Sequence, residues 1–159
     1  FLAGRPDLES ARRREAGYRA ALVRAGIEVD ERLVLGGAYT EEAAVEPAHR
    51  LLTMPDRPTA VFAANDLSAS QVIRTAHELG LDVPGDLSVI GFDNIPESAL
   101  TTPPLTTIDQ SIQAMGHAAV TTLVGLIEHP ERAAEPPGHV TMPTQLVVRG
   151  TTAPPRSVP

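Results

Sequence analysis

The sequence predicts an α/β fold, an open and mostly parallel sheet with helices on both faces. Three observations carry that prediction. Short runs rich in Val, Ile, Leu and Phe alternate with longer amphipathic stretches along the 159 residues, the order a parallel sheet needs, because each parallel crossover takes a helix. The strands stop at Gly or at polar pairs, and two helices have good stop signals in Gly26 and Gly80. Hydrophobic residues make up 42% of the chain but aromatics only 3%, so the core is aliphatic, as suits strands buried on both faces.

Taken in order, Phe1-Leu2-Ala3-Gly4 reads as the tail of a strand entering a Gly turn. Asp7 is placed to cap the helix that follows, which runs to about Ala25 and stops at Gly26. The apolar positions Ala16, Ala20, Leu22 and Val23 give that helix its packing face. Residues 32–35 form a second strand, closed by Gly36-Gly37. Thr40-Glu41-Glu42-Ala43 opens a helix reaching about Leu52, in which Pro47 marks a kink or a late start. After a turn-rich connection at 54–58 come a strand at 60–64, a helix from about Leu67 to Leu79 and a strand at 87–92. Residues 95–100 form a short helical turn, and 105–108 a strand after Pro103-Pro104. From Gln110 to about Ile127, Ile112, Met115, Ala119, Leu123 and Leu126 recur at helical spacing. Residues 139–148 hold a last strand interrupted near Pro143, and from Gly150 the Thr/Pro-rich tail reads as extended or frayed.

The segment from Thr59 to Asn94 is the most informative. Its first strand stops at Asn65-Asp66 and its second at Asp93-Asn94. In a parallel unit both strands point the same way, so both polar pairs emerge at one edge of the sheet. That edge, outside the carboxyl ends of the strands, is where open α/β sheets bind small ligands.

Composition excludes several chemistries. There is no Cys, which removes disulfides, thiolate nucleophiles and Cys-ligated metals. There is no Lys, since all 13 basic residues are Arg, which removes Schiff-base catalysis and a phosphate-loop lysine. The net charge of −7 leaves no basic surface for DNA in this chain. The one dense basic run, Arg12-Arg13-Arg14, is flanked by Glu9 and Glu15, and Arg12 and Arg13 read as a solvated helix face. His49, His77, His117, His129 and His139 are scattered without metal-ligand spacing, and no apolar run approaches a membrane span. Ser68 and Ser70 lack the nucleophile-elbow pattern, and nothing supports Asp66 and Asp93 as a hydrolytic carboxylate pair.

Several polar residues are candidates for ligand contact. Arg14 by itself reads as a helix-surface charge, although a guanidinium offers fixed donors for hydroxyls or a carboxylate. Asn65 offers donors and acceptors to a polyol, or caps the next helix; Asp66 could fill the cap instead. Asp93 is a hydroxyl acceptor or a turn residue. Gln110 either bonds a ligand or caps the helix it opens.

Taken together, Phe1-Leu2-Ala3-Gly4, Ser10-Ala11-Arg12-Arg13-Arg14-Glu15-Ala16-Gly17-Tyr18, Ala64-Asn65-Asp66, Gly80-Leu81-Asp82-Val83-Pro84, Leu87-Ser88-Val89-Ile90-Gly91-Phe92-Asp93, Pro104-Leu105-Thr106-Thr107-Ile108 and Leu146-Val147-Val148-Arg149 resemble the LacI/GalR transcriptional regulators in order and spacing. The resemblance covers nearly the whole chain up to about Thr152. It implies a periplasmic-binding-protein-like (type I) fold that is incomplete here. Residues 1–109 would be most of the C-terminal lobe of an effector-binding domain, 110–148 the returning segment of the N-terminal lobe, and 149–159 a tail. The helix-turn-helix domain of the family is not in this stretch.

The same resemblance implies Arg14, Tyr39, Asn65, Asp93 and Gln110 as ligand-binding residues, with Tyr39 the aromatic that stacks on the effector. Ile112 stands where some members carry another aromatic, a departure that leaves the ligand open. The implied protein is not an enzyme and needs no cofactor or metal. It is cytoplasmic and homodimeric, binding a sugar or related polyol between its lobes and operator DNA through a domain outside this chain. The helix after Tyr39, the helix after Asp66 and residues 97–101 would build the twofold interface. The competing reading is a periplasmic-type solute-binding protein for transport, whose fold and pocket would be similar.

Overall fold

The computed structural model describes residues 1–131, 138 and 140–155. Among them six strands and four helices alternate: β1 (Leu2–Ala3), α1 (Glu9–Arg24), β2 (Leu35–Gly36), α2 (Glu41–Leu52), β3 (Ala60–Phe62), α3 (Asp66–Glu78), β4 (Ser88–Asp93), β5 (Thr106–Asp109), α4 (Ile112–Glu128) and β6 (Gln145–Val147). Strands β3, β4, β5 and β6 form one sheet in that order, and β1 pairs with β2. A parallel bridge from Leu2 to Ala63 sets β1 beside β3, so the strands run 2-1-3-4-5-6. All these pairings are parallel except that of β6, which returns antiparallel along β5. The chain steps outward from β1 to β2 and then back across to β3. The order therefore reverses between β1 and β3, where a doubly wound sheet opens a crevice at its carboxyl edge.

Alternation along the strands decides the two faces. Leu2, Val61, Ala63, Val89 and Leu105 are buried under α2 and α3, which contribute Ala44, Ala48 and Leu52, and Ala69, Val72, Ile73 and Ala76. Alanines at the contact let the two helices lie close, and each fully buried Val or Leu contributes roughly 1.5–3 kcal/mol. Gly91 marks the tightest approach of helix to sheet: a β-carbon there would strike the Asp66 carboxylate and lie 2.9 Å from a methyl of Leu105. The opposite face carries α1. Phe1 stacks on Tyr18 with ring centres 4.9 Å apart and tilts against Phe62 at 5.2 Å.

Several local expectations change. The N-cap of α1 is Leu8, without a side-chain bond, because Asp7 is drawn into an ion pair with Arg5 at 2.6 Å. The face of α1 turned inward holds Ala11, Arg14, Tyr18 and Leu22, whereas Ala16, Ala20 and Val23 are exposed; apolar character alone does not fix which face of this helix packs. Residues 31–33 form a 3₁₀ turn whose start is capped by Asp30, so β2 is confined to Leu35–Gly36. Pro47 neither delays nor stops α2, which starts at Glu41 from a Thr40 cap.

The tail is not frayed at its root. Thr151 is fully buried: its hydroxyl donates to Val89 O and accepts from Thr106 N, while Val89 N donates to Thr151 O. Gln145–Val147 is the part of the last expected strand that pairs; His139, at its expected start, lies outside the described residues. Helix α4 forms as the spacing predicts, yet none of its residues is buried, and Ile112, Met115, Leu123 and Ile127 are exposed. Among the described residues no helix is long and apolar enough to cross a membrane, and no group of His, Asp and Glu is arranged to hold a metal ion.

Candidate functional site

Four of the five parallel strands, β2 to β5, present polar or aromatic residues at the same edge. Tyr39 follows β2, Asn65 follows β3, Asp93 ends β4, and Gln110 follows β5. Arg14 reaches this edge from the inward face of α1. Of the expected residues, Arg14, Asp93 and Gln110 are brought into direct contact. The Arg14 guanidinium donates to Ala64 O at 2.5 Å and to Asp93 Oδ1 at 3.3 Å. Gln110 Nε2 donates to the same carboxylate oxygen at 2.7 Å.

The guanidinium of Arg14 also lies 3.9 Å from the centre of the Phe92 ring and 5.6 Å from that of Tyr39. Its side chain is only 12% exposed, so it is a fixed group sandwiched by aromatics rather than a surface charge. Phe92 was not among the expected residues. Its place next to Asp93 at a strand end, pointing to the face opposite Gly91, was the signal that could have found it.

Asp93 is a carboxylate held under constraint. Burial pushes its carboxyl up to about 6, the Arg14 charge pulls it back down, and repulsion from Asp66 adds to the rise. The residue has φ 115°, in the left-handed half of the map. Five described non-glycine residues have positive φ, namely Ala38, Tyr39, Asp93, Asn94 and Ser111. All five lie at or just beyond the carboxyl ends of β2, β4 and β5. Strain concentrated at one edge of the sheet is a feature of functional sites, where surrounding contacts hold a geometry the backbone alone disfavours.

Of the two residues that could cap α3, Asn65 takes the role and Asp66 does not. Asn65 is the N-cap of α3, with Oδ1 accepting from Ser68 N at 3.0 Å and Nδ2 donating to Tyr39 O at 2.9 Å. It is buried, and it supports the site by fixing the loop that carries Tyr39. Asp66, the first residue of α3, is not the cap. Its carboxylate accepts from Ile95 N and the Thr107 hydroxyl, tying the start of α3 to β5 and to the loop after β4. Burial raises the Asp66 carboxyl, opposed by those two donors, the Asn94 amide and the Arg149 charge.

A second polar chain links the ends of β4, β5 and β6. Arg149 donates to Asn94 Oδ1 at 2.7 Å, Leu105 O at 2.7 Å and the Ser98 hydroxyl at 3.1 Å. Asn94 Nδ2 donates to Asp109 Oδ2 at 3.1 Å, and Asp109 Oδ1 accepts from Ser111 N at 2.6 Å. This chain pins the Asp93-Asn94 turn to both segments that leave the sheet. Beside it opens a cleft of about 520 Å³ lined by Asp93, Asn94, Ile95, Asp109, Ser111 and Ile112. Arrays of hydroxyl, amide and guanidinium groups beside aromatic faces recognise small polar molecules through hydrogen bonds.

The match to known proteins fits this geometry. Residues 1–152 match the family described as periplasmic binding protein-like domain, and the chain belongs to it; it resembles the corresponding region of LacI/GalR-type regulators. Among curated proteins, it is 37% identical over 151 residues to the HTH-type transcriptional repressor PurR of Photobacterium profundum, covering 93% of this chain and 43% of PurR. It is likewise 37% identical over 151 residues to the repressor CytR of Escherichia coli, covering 95% of this chain and 43% of CytR. Among solved structures, the regulator CelR in complex with cellobiose superposes with a TM-score of 0.86 at 34% identity, over 94% of this chain and 45% of CelR. The lac repressor dimer bound to operator and the anti-inducer ONPF gives 0.83 at 34%, over 95% of this chain and 51% of that one. The chain thus spans less than half the length of these curated relatives.

Proposed function

We propose that this chain supplies one half of a two-lobed site in which a small polar effector, a sugar or related polyol, controls the operator affinity of a dimeric regulator. Residues 1–109 form most of the C-terminal lobe, 110–148 run with the N-terminal lobe, and 149–159 return as the tail. The observation that carries this reading is the contact of Arg14, Asp93 and Gln110 at the carboxyl edge, with Gln110 on the first segment to leave the sheet. The exposed apolar surface of α4 supports the division into lobes, since such a helix needs a partner.

An effector acts by binding one lobe arrangement better than the other. Ligand hydroxyls that bridge Asp93 and Arg14 to the facing lobe favour closure. The Arg149–Asn94–Asp109 chain transmits that preference to the segments that follow β5 and β6. Operator binding resides in a domain beyond this stretch, and the protein acts in the cytoplasm.

The test is a thermal-shift screen of the intact protein against D-glucose, D-galactose, D-ribose, cellobiose and myo-inositol, followed by titration of any stabilising compound. Arg14→Ala and Asp93→Ala, each removing a charged partner, are expected to weaken binding by about 10- to 100-fold. Wild-type affinity in both variants would remove the site from this edge of the sheet.

A further inference from the structure

Tyr39 occupies an unusual position. Its ring lies over Gly4, at the end of β1, where the strand order reverses and the crevice opens. The ring fits there only because residue 4 has no side chain: a β-carbon on Gly4 would collide with Cζ, Cε1 and Oη of Tyr39, and with nothing else nearer. The hydroxyl is buried, and it is the one buried side-chain polar atom among the described residues without a hydrogen-bond partner. A phenolic hydroxyl shut away from water without a partner is unfavourable. The backbone beneath it is also strained, with Ala38 at φ 49° and Tyr39 at φ 70°, conformations that favour glycine. Meanwhile Asn65 holds the Tyr39 carbonyl, so the loop is anchored, while the ring is held by packing and by the Arg14 guanidinium 5.6 Å from its centre, without a hydrogen bond.

We propose that Tyr39 is a movable plug. Resting on Gly4, it fills the crevice between β1 and β3; swung off Gly4, it brings its hydroxyl to the effector as a hydrogen-bonding group, beyond any stacking by its ring. The unpartnered hydroxyl and the strained loop keep the resting position shallow, so a ligand that offers a polar partner can displace it. The second half of this inference rests on the site reading above, whereas the resting plug does not.

Two substitutions test it in the intact protein. Tyr39→Phe removes the orphan hydroxyl and leaves the plug in place. Its melting temperature is expected to rise by about 2–6 °C, and affinity for whichever sugar of the panel stabilises the wild type is expected to fall about five- to tenfold. Gly4→Ala places a methyl where the ring rests and expels it. The 3-fluorotyrosine resonance of Tyr39, assigned by its loss in Tyr39→Phe, then acquires the H₂O/D₂O isotope shift of an exposed ring, and affinity is equal to the wild type's or up to about tenfold higher.

A melting temperature lowered by Tyr39→Phe would reveal a partner for the hydroxyl and overturn the plug. So would an unexposed fluorotyrosine in a folded Gly4→Ala variant. If Gly4→Ala does not fold, the melting temperature of Tyr39→Phe still decides. Unchanged sugar affinity in Tyr39→Phe, with binding lost in Arg14→Ala, overturns the hydroxyl contact and leaves the site standing. Unchanged affinity in Arg14→Ala removes the site itself, and the melting and exposure data judge the resting plug alone.

Discussion

A single carboxylate sets the pH behaviour of the site. Asp93 is raised from 3.8 to about 6 because burial disfavours its charge more than Arg14 favours it. Between those two values the folded chain binds a proton that the unfolded chain has lost, so this group makes the fold less stable as pH rises from 4 to 6, with no further change above. Sugar hydroxyls act in the opposite sense. In the proposed site they donate to the ionised carboxylate and pull its pKa below 6, so binding is expected to be complete at neutral pH and to weaken as pH falls through 6. One unit below that value, affinity is expected to be about tenfold lower. Isothermal titration at pH 7 and pH 5 measures the ratio; Asp93→Asn is expected to bind weakly at both and to lose the dependence. A flat profile in the wild type would mean that Asp93 does not face the ligand. Asn65 is bound to a different outcome, because its side chain is spent on the cap and on Tyr39. Asn65→Ala removes a cap and a buried partner, and is expected to lower stability by about 1–3 kcal/mol in denaturant unfolding.

At the scale of elements, α3 and β4 are the most constrained pair, because the helix lies on the sheet where Gly91 has no side chain. Gly91→Ala forces a methyl onto the Asp66 carboxylate and Leu105, and overpacking of this kind costs about 1–3 kcal/mol. Chemical denaturation checks it, and a neutral result would mean that α3 can shift outward freely. These elements were also the most legible in the sequence. The strands around Val61 and Val89, the helix between them and the polar strand ends follow from local pattern alone, since buried parallel strands are short apolar runs and helices stop at Gly. What was not legible is tertiary competition for polar groups. Asp7 lost its cap to Arg5, the cap of α3 fell to Asn65 because Thr107 and Ile95 claim the Asp66 carboxylate, and Thr151 is buried by bonds to β4 and β5 that lie 45 to 62 residues away in sequence. Asp93 and Gln110 were each visible as a polar residue at a strand end, whereas Arg14, inside α1, reads from local pattern as a surface charge. Their contact depends on α1 crossing the sheet at one particular angle, which no local pattern records; Phe92 beneath Arg14 was missed for the same reason.

For the molecule as a whole, the main asymmetry lies between its two ends. Residues 1–109 build a core in which Leu2, Leu51, Leu87 and Leu105 are fully buried, while α4 exposes 58% of Leu123 and 68% of Ile127. Such a helix gains little from its own propensity, because most helical stability comes from packing an apolar face. A second lobe covering that face is the partner that the proposed division of the protein requires. Leu123 distinguishes a covered helix from a solvated one. On a solvated face, Leu123→Ala changes stability by less than about 0.5 kcal/mol. Under a second lobe the same change removes a buried side chain and costs about 2–5 kcal/mol. The intact protein is expected to show the larger loss in denaturant unfolding, while the 1–159 chain, if it folds alone, is expected to be indifferent to the substitution and to bind hydrophobic dyes through the same surface. Indifference in the intact protein would mean that α4 packs elsewhere and that 110–148 do not run with the second lobe. Because Gln110 opens the segment leading to α4, that result would also detach the ligand contacts from the lobe movement they are proposed to drive.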